Sequence, residues 1–191
     1  DELIIKKGQA DIIISHNVTI DENTVDLGDI TLDNSSTITV GAFELEASGT
    51  VDINGTLLMQ ASSIIDIDGA FDATSGNVTF TGPGTLELGS TVTSLGTLTS
   101  VSGATVHYNG GSQNIVAASS KSAAYPNLKI SNGEKTLLGT TKVTEDLIFS
   151  SDFDLVTNGN TLEISETPTG WNEAVFASPT IGQCTIIFLF I

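Results

Sequence analysis

The residues best suited to chemistry are carboxylates. The stretch Asp66-Ile67-Asp68-Gly69-Ala70-Phe71-Asp72 offers three of them. At strand spacing, Asp66 and Asp68 would project from one face. Glycosidases use such acid pairs. They also need a base and usually a cation to stabilise developing charge. The chain has six Lys, scattered, and no Arg. The carboxylates are therefore expected to be solvent-facing strand residues, and the protein not to be an enzyme. The same acids, like Asp26, Asp29 and Asp33, superficially suggest calcium. An EF-hand loop needs Asp at positions 1, 3 and 5 and Gly at 6. Here Gly69 falls at the fourth position, so that match fails. Asp66, Asp68 and Asp72 remain as a weak surface site for calcium, and no other cofactor is expected.

The remaining reactive types are isolated. His16 and His107 are far apart in sequence and read as turn or strand-face residues. Cys184 is the only cysteine, so neither an internal disulfide nor a zinc cluster is expected. Gly82-Pro83-Gly84 is a turn and not a phosphate loop, because no Lys-Ser/Thr follows. Trp171, Tyr108 and Tyr125 are the candidate platforms for stacking a sugar ring. Asn17, Asn34, Asn54 and Asn77 open glycosylation sequons, at about the number that chance supplies in a chain rich in Ser and Thr. Thr-x-Thr occurs at Thr37/Thr39, Thr79/Thr81, Thr91/Thr93 and Thr97/Thr99, at intervals of 42, 12 and 6 residues. Those intervals define no constant turn, so no ice-binding ladder is expected.

The elements that must carry these residues are strands. Apolar pairs separated by one polar residue recur at Val18/Ile20, Ile30/Leu32, Ile38/Val40, Val51/Ile53, Ile65/Ile67, Val78/Phe80, Leu86/Leu88, Val106/Tyr108, Leu128/Ile130 and Leu162/Ile164. That period of two puts each pair on one face of a strand. Turn residues fall between them, among them Gly49, Asn54-Gly55, Gly69, Gly76, Gly89, Gly96 and Gly103. Corners come every five to ten residues or so, which favours short strands stacked in turns. The expected fold is all-β: a degenerate β-solenoid, or β-helix, with an irregular C-terminal segment ending in a hydrophobic strand. Its parts are a solenoid domain over 1–108, a loop or interrupted rung over 109–127, continuing rungs over 128–165, and a connection with a hydrophobic strand over 166–191.

Residues 107–164 carry a resemblance. His107-Tyr-Asn-Gly-Gly-Ser-Gln-Asn-Ile-Val116, Tyr125-Pro-Asn-Leu-Lys-Ile-Ser-Asn-Gly-Glu-Lys-Thr-Leu137, Val143-Thr-Glu-Asp-Leu-Ile-Phe149 and Leu155-Val-Thr-Asn-Gly-Asn-Thr-Leu-Glu-Ile164 resemble a repeat of large secreted surface proteins of Bacteroidetes-type bacteria. The opening, Ile4-Ile5-Lys6-Lys7-Gly8 through Val18-Thr19-Ile20, is similar to the first rung of such arrays. The resemblance implies a β-helical fold and a role in adhesion or extracellular scaffolding. It brings no catalytic residues.

Charge and tail narrow the function. Charged residues are 15% of the chain and the formal net charge is −17, against about 25% charged in ordinary domains. Binding to nucleic acid is not expected without a basic stripe. No segment reaches the ~20 apolar residues of a membrane helix. A start at Asp1 fits a processed secreted chain. Cys184-Thr-Ile-Ile-Phe-Leu-Phe-Ile191 holds seven apolar residues among eight. Uncovered, such a strand would aggregate. It either packs on its own domain or adds to a neighbour. The expectation is a secreted or cell-surface structural or adhesive module, homo-oligomeric, filamentous or part of a larger surface array. Assembly would run through Ile186, Ile187, Phe188, Leu189, Phe190 and Ile191, with Leu3, Ile4 and Ile5 as the acceptor edge. A glycan-binding adhesin domain and a polysaccharide-active β-helix enzyme are the alternatives.

Overall fold

A computed structural model describes residues 11–23, 27–118, 124–150, 153–165 and 185–188. Among them there is no helix; the chain is a parallel β-solenoid of about seven turns with three strands in a typical turn. The first turn holds β1 (Ile12–Ile14) and β2 (Val18–Ile20), with Leu27 bridging upward to Ala47 on its third side. The next holds β3 (Ile30–Leu32), β4 (Thr37–Val40) and β5 (Glu44–Ala47). Above it come β6 (Val51–Ile53), β7 (Thr56–Met59) and β8 (Ile64–Ile67), then β9 (Phe71–Asp72), β10 (Asn77–Phe80) and β11 (Thr85–Leu88). The fifth turn is β12 (Val92–Ser94), β13 (Thr97–Thr99) and β14 (Thr105–Tyr108).

Residues 109–127, expected as a loop or interrupted rung, hold β15 (Gln113–Ile115) and bridges from Ala118 to Thr141 and from Tyr125 to Val143. The stack then continues with β16 (Asn127–Ile130), β17 (Gly133–Leu137), β18 (Thr141–Val143), β19 (Leu147–Phe149), β20 (Phe153–Val156) and β21 (Thr161–Ile164). Finally β22 (Thr185–Phe188) lies parallel on β21, with Thr161 opposite Thr185.

Alternation explains the packing. In β4, β5, β7 and β11 every second residue is buried and its neighbours are half-buried. Parallel pairing in register then stacks like on like. Ile38, Leu57, Val78 and Leu98 form one interior column, and Leu45, Ile65, Leu86, Val106, Leu128 and Leu147 another. Each is at most 4% exposed. Fully burying one such side chain is worth about 1.5–3 kcal/mol.

The period is set at the corners. Paired strands are offset by 18 residues at the first turn and 24 at the last, and by 19 to 22 elsewhere. Gly49, Gly69, Gly89 and Gly110 occupy one corner of successive turns, where the backbone passes directly over the turn below. A Cβ on Gly69 would sit 1.9 Å from the Gly49 carbonyl oxygen, and one on Gly110 would sit 2.0 Å from that of Gly89. Only glycine fits such a column.

Candidate functional site

The third side of the stack gathers the ionisable groups. In register, Glu46 of β5 stands beside Asp66 of β8, then Glu87 of β11, His107 of β14 and Lys129 of β16. Strands lie ~4.8 Å apart, so three carboxylates, an imidazole and an ammonium form one outward column. Burial raises the Asp66 carboxyl above its ordinary value, and the negative charges of Glu87, Asp68, Glu44 and Glu46 push it further. Glu87 goes the other way. The close polar contact of the His107 ring lowers it, helped by the charges of His107 and Lys129 and by a hydrogen bond from Asn109.

The partners of Glu87 are specific. His107 Nδ1 lies 3.4 Å from Glu87 Oε1, and Asn109 Nδ2 donates to Glu87 Oε2 at 3.2 Å. On the far side of the ring, His107 Nε2 lies 2.8 Å from Ser131 Oγ. The imidazole thus hydrogen-bonds the hydroxyl and stands within ion-pair distance of the carboxylate, though its Nδ1 makes no hydrogen bond; the order is the one used to activate a nucleophile. Access decides against that chemistry in this state. His107 and Ser131 are each 6% exposed, so a substrate has no approach to the hydroxyl. The chain Glu87–His107–Ser131 ties three successive turns together through side chains.

The acids singled out for calcium are not brought together. Asp66 belongs to the charged column of the third side, whereas Asp72 lies on β9, beside Asp52 of the first side. Asp72 Oδ1 accepts from the backbone N–H of Thr74 at 2.8 Å and from its hydroxyl at 2.6 Å, closing the corner. Asp68 sits just past β8, beneath Gly89. Among the described residues, no three His, Cys, Asp or Glu side chains form a group able to hold a metal.

The aromatic platform is corrected outright for two of its three members. Tyr108 and Tyr125 are 0% exposed. Their hydroxyls lie 2.9 Å apart and Tyr125 donates to the Val116 carbonyl at 2.8 Å. A ring enclosed on every side cannot stack on a sugar from solvent. Trp171, like Leu3, Ile4, Ile5, Leu189, Phe190 and Ile191, lies outside the described residues. Ile186, Ile187 and Phe188 belong to β22, which pairs within the chain. His16 is exposed at a corner, remote in register from His107.

Two inward polar residues escaped the sequence reading. Gln113 occupies an interior position of β15; its Nε2 donates to the carbonyls of Leu88 and Ser90, at 2.7 and 2.6 Å, while its Oε1 accepts from Gly110 N–H at 2.8 Å. Lys135 is the next residue in that column and is fully enclosed. Its Nζ donates to the carbonyls of Gly110 at 2.9 Å, Gly111 at 2.6 Å and Asn132. Burial lowers its pKa. Each side chain seals a corner whose carbonyls no strand satisfies.

A second surface also went unread. The second side of the stack displays threonine in aligned columns: Thr37, Thr56, Asn77 and Thr97 in one, and Thr19, Thr39, Leu58, Thr79 and Thr99 in the other. The expectation that no constant turn aligns the threonine motifs is overturned for Thr37/Thr39, Thr79 and Thr97/Thr99, whereas Thr81 lies past β10, Thr91 outside a strand and Thr93 on the first side. The alignment is hidden in the sequence because Leu58 in β7 and Asn77 in β10 each replace one member of the Thr-x-Thr pattern.

These features define a β-solenoid with one charged side and one threonine side. No protein-family model, curated protein or solved structure matches the chain.

Proposed function

We propose that the chain is an extracellular structural or adhesive module, a stack of turns that joins a larger array through its ends. One observation carries this reading. The uncharged strand Thr185–Phe188 extends the parallel ladder beyond β21 and stands last in its sheet among the described residues. Strand edges pair readily unless something blocks them, and a parallel stack accepts another turn in the same register. Residues 186–191 reach a neighbour by that edge, with the first strands of the next copy as acceptor. The likeness of residues 107–164 to surface-protein repeats points to the same setting, as does the acidic composition, which keeps such modules soluble before they assemble.

Electron microscopy and size-exclusion chromatography of the full chain, against a chain lacking Cys184–Ile191, test the reading. The full chain is expected to form filaments or discrete oligomers, and the shortened chain to keep its β-sheet circular dichroism while staying monomeric. Identical oligomers from both chains would remove the tail from the contact.

A further inference from the structure

The outward faces of the three sides differ in charge. The third side carries Glu44, Glu46, Asp66, Glu87, His107 and Lys129, and the first carries Asp52 and Asp72. The two columns of the second side hold no Asp, Glu or Lys over five strands, in a chain with 23 acids. Their register is unbroken. The register shift between β9 and β12 belongs to the first side.

We propose that this threonine face binds ice. Two repeats are built into it. Neighbouring parallel strands are ~4.7–4.9 Å apart, and alternate residues along one strand are ~6.7 Å apart. Rows of oxygen atoms on the surfaces of hexagonal ice repeat at distances close to both. The face therefore repeats in two directions, with threonine at both positions in β4 and β13 and at one of the two in β7 and β10. Threonine suits it because β-branching restricts χ1, which limits the attitudes that methyl and hydroxyl can take. Hydroxyls take part in an ordered water layer at little cost, and methyls favour release of liquid water. A charged group would hold its own hydration shell and spoil the match. Leu58 keeps the apolar half of the pattern and Asn77 the polar half. Asn17, one turn below Thr37, accepts the Thr37 N–H at 2.9 Å and squares off the starting edge. The five-strand sheet ends at β13; in the separate sheet of β18, β21 and β22, Lys142 and Glu163 form an ion pair at 2.9 Å. Neither column contains an aromatic ring, which argues for an extended lattice over a single stacked sugar. The proposal does not depend on assembly through the tail.

The test is slow growth of ice from a dilute solution of the full chain, with an inert globular protein as reference, reading the fraction of each trapped in the solid. Thr39→Lys and Thr79→Lys place a charge within the face, and Thr31→Lys places the same charge on the first side. Circular dichroism and melting curves establish that each variant is folded. The full chain and Thr31→Lys are expected to enter the ice and to inhibit its recrystallisation, while the two face variants lose most of that uptake. Exclusion of the folded full chain to the same extent as the reference overturns the proposal. So does equal uptake by all three variants. Binding to crystalline chitin or cellulose through the same threonines, with exclusion from ice, would also overturn it and name a different lattice.

Discussion

The Tyr108 hydroxyl lies 2.9 Å from the Tyr125 hydroxyl, and their rings meet edge to face with centroids 6.3 Å apart. Both are enclosed by neighbouring turns. Ring pairs in this arrangement contribute about 0.5–1.5 kcal/mol beyond the area they bury. The pair closes the interior where 109–127 departs from the regular turn.

That pair makes the fold sensitive to alkali. Burial raises Tyr108 to about 12 and Tyr125 well above its ordinary value. A group whose folded pKa is raised contributes stability that is complete below its unfolded value, about 10, and is lost as pH climbs through the folded one. Stability should fall steeply between about pH 10 and 12. Denaturant midpoints across that window, with tyrosinate absorbance followed in parallel, check it. Tyr125→Phe should flatten the fall even if it lowers stability at neutral pH.

Asp66 gives a prediction of the same sign in the acid range, where stability is again lost as pH rises. Its folded pKa is raised, so the protonated form is favoured by folding and the ionised form is a burden. Asp66→Asn should stabilise the protein by about 0.2–1 kcal/mol near pH 7, the usual worth of a cross-strand charge pair. The gain should vanish near pH 3, below the unfolded value of about 3.9. Urea titrations at the two pH values decide it. Equal effects at both would mean that packing, not charge, sets the cost.

The glycine corners predict a sharp contrast between two substitutions of the same kind. Gly69→Ala forces a methyl against the Gly49 carbonyl and should cost about 1–3 kcal/mol or more, the range for overpacking. Gly111→Ala meets nothing within 4 Å and should stay within about 0.5 kcal/mol of the parent. Thermal melting of both variants is the measurement.

Lys135→Met keeps the length of the side chain and removes the ammonium. The carbonyls of Gly110 and Gly111 then lose a donor they cannot readily replace. An expected loss of about 1–3 kcal/mol follows from the desolvated acceptors. Hydrogen exchange should show the loosening first in β15 and β17, with β3 to β8 unaffected.

The sequence made the strand pattern legible because parallel stacking leaves alternation intact in each turn. The period was hidden by counting from one corner to the next. Three corners make a turn, and the 20-residue step appears only when Gly49 is compared with Gly69 and Gly69 with Gly89. Tyr108 and Tyr125 were misread because aromatic hydroxyls look like surface chemistry until the turn that encloses them is known. Gln113 and Lys135 were missed for the converse reason. Their polarity says surface, yet alternation with Ile115 and Leu137 in the same strands marks both as inward. The column Glu46–Asp66–Glu87–His107–Lys129 could not be assembled without the register, since its members lie about twenty residues apart.

The glycine columns have a consequence for variation. Where the backbone rests on the backbone of the turn below, an inserted or lost residue would swap inward and outward positions along the following strand. Change is therefore channelled into substitutions at outward positions, or into gain and loss of whole turns. Each side can be rewritten while the other two keep their chemistry, so one scaffold can carry a charged surface and an uncharged one back to back.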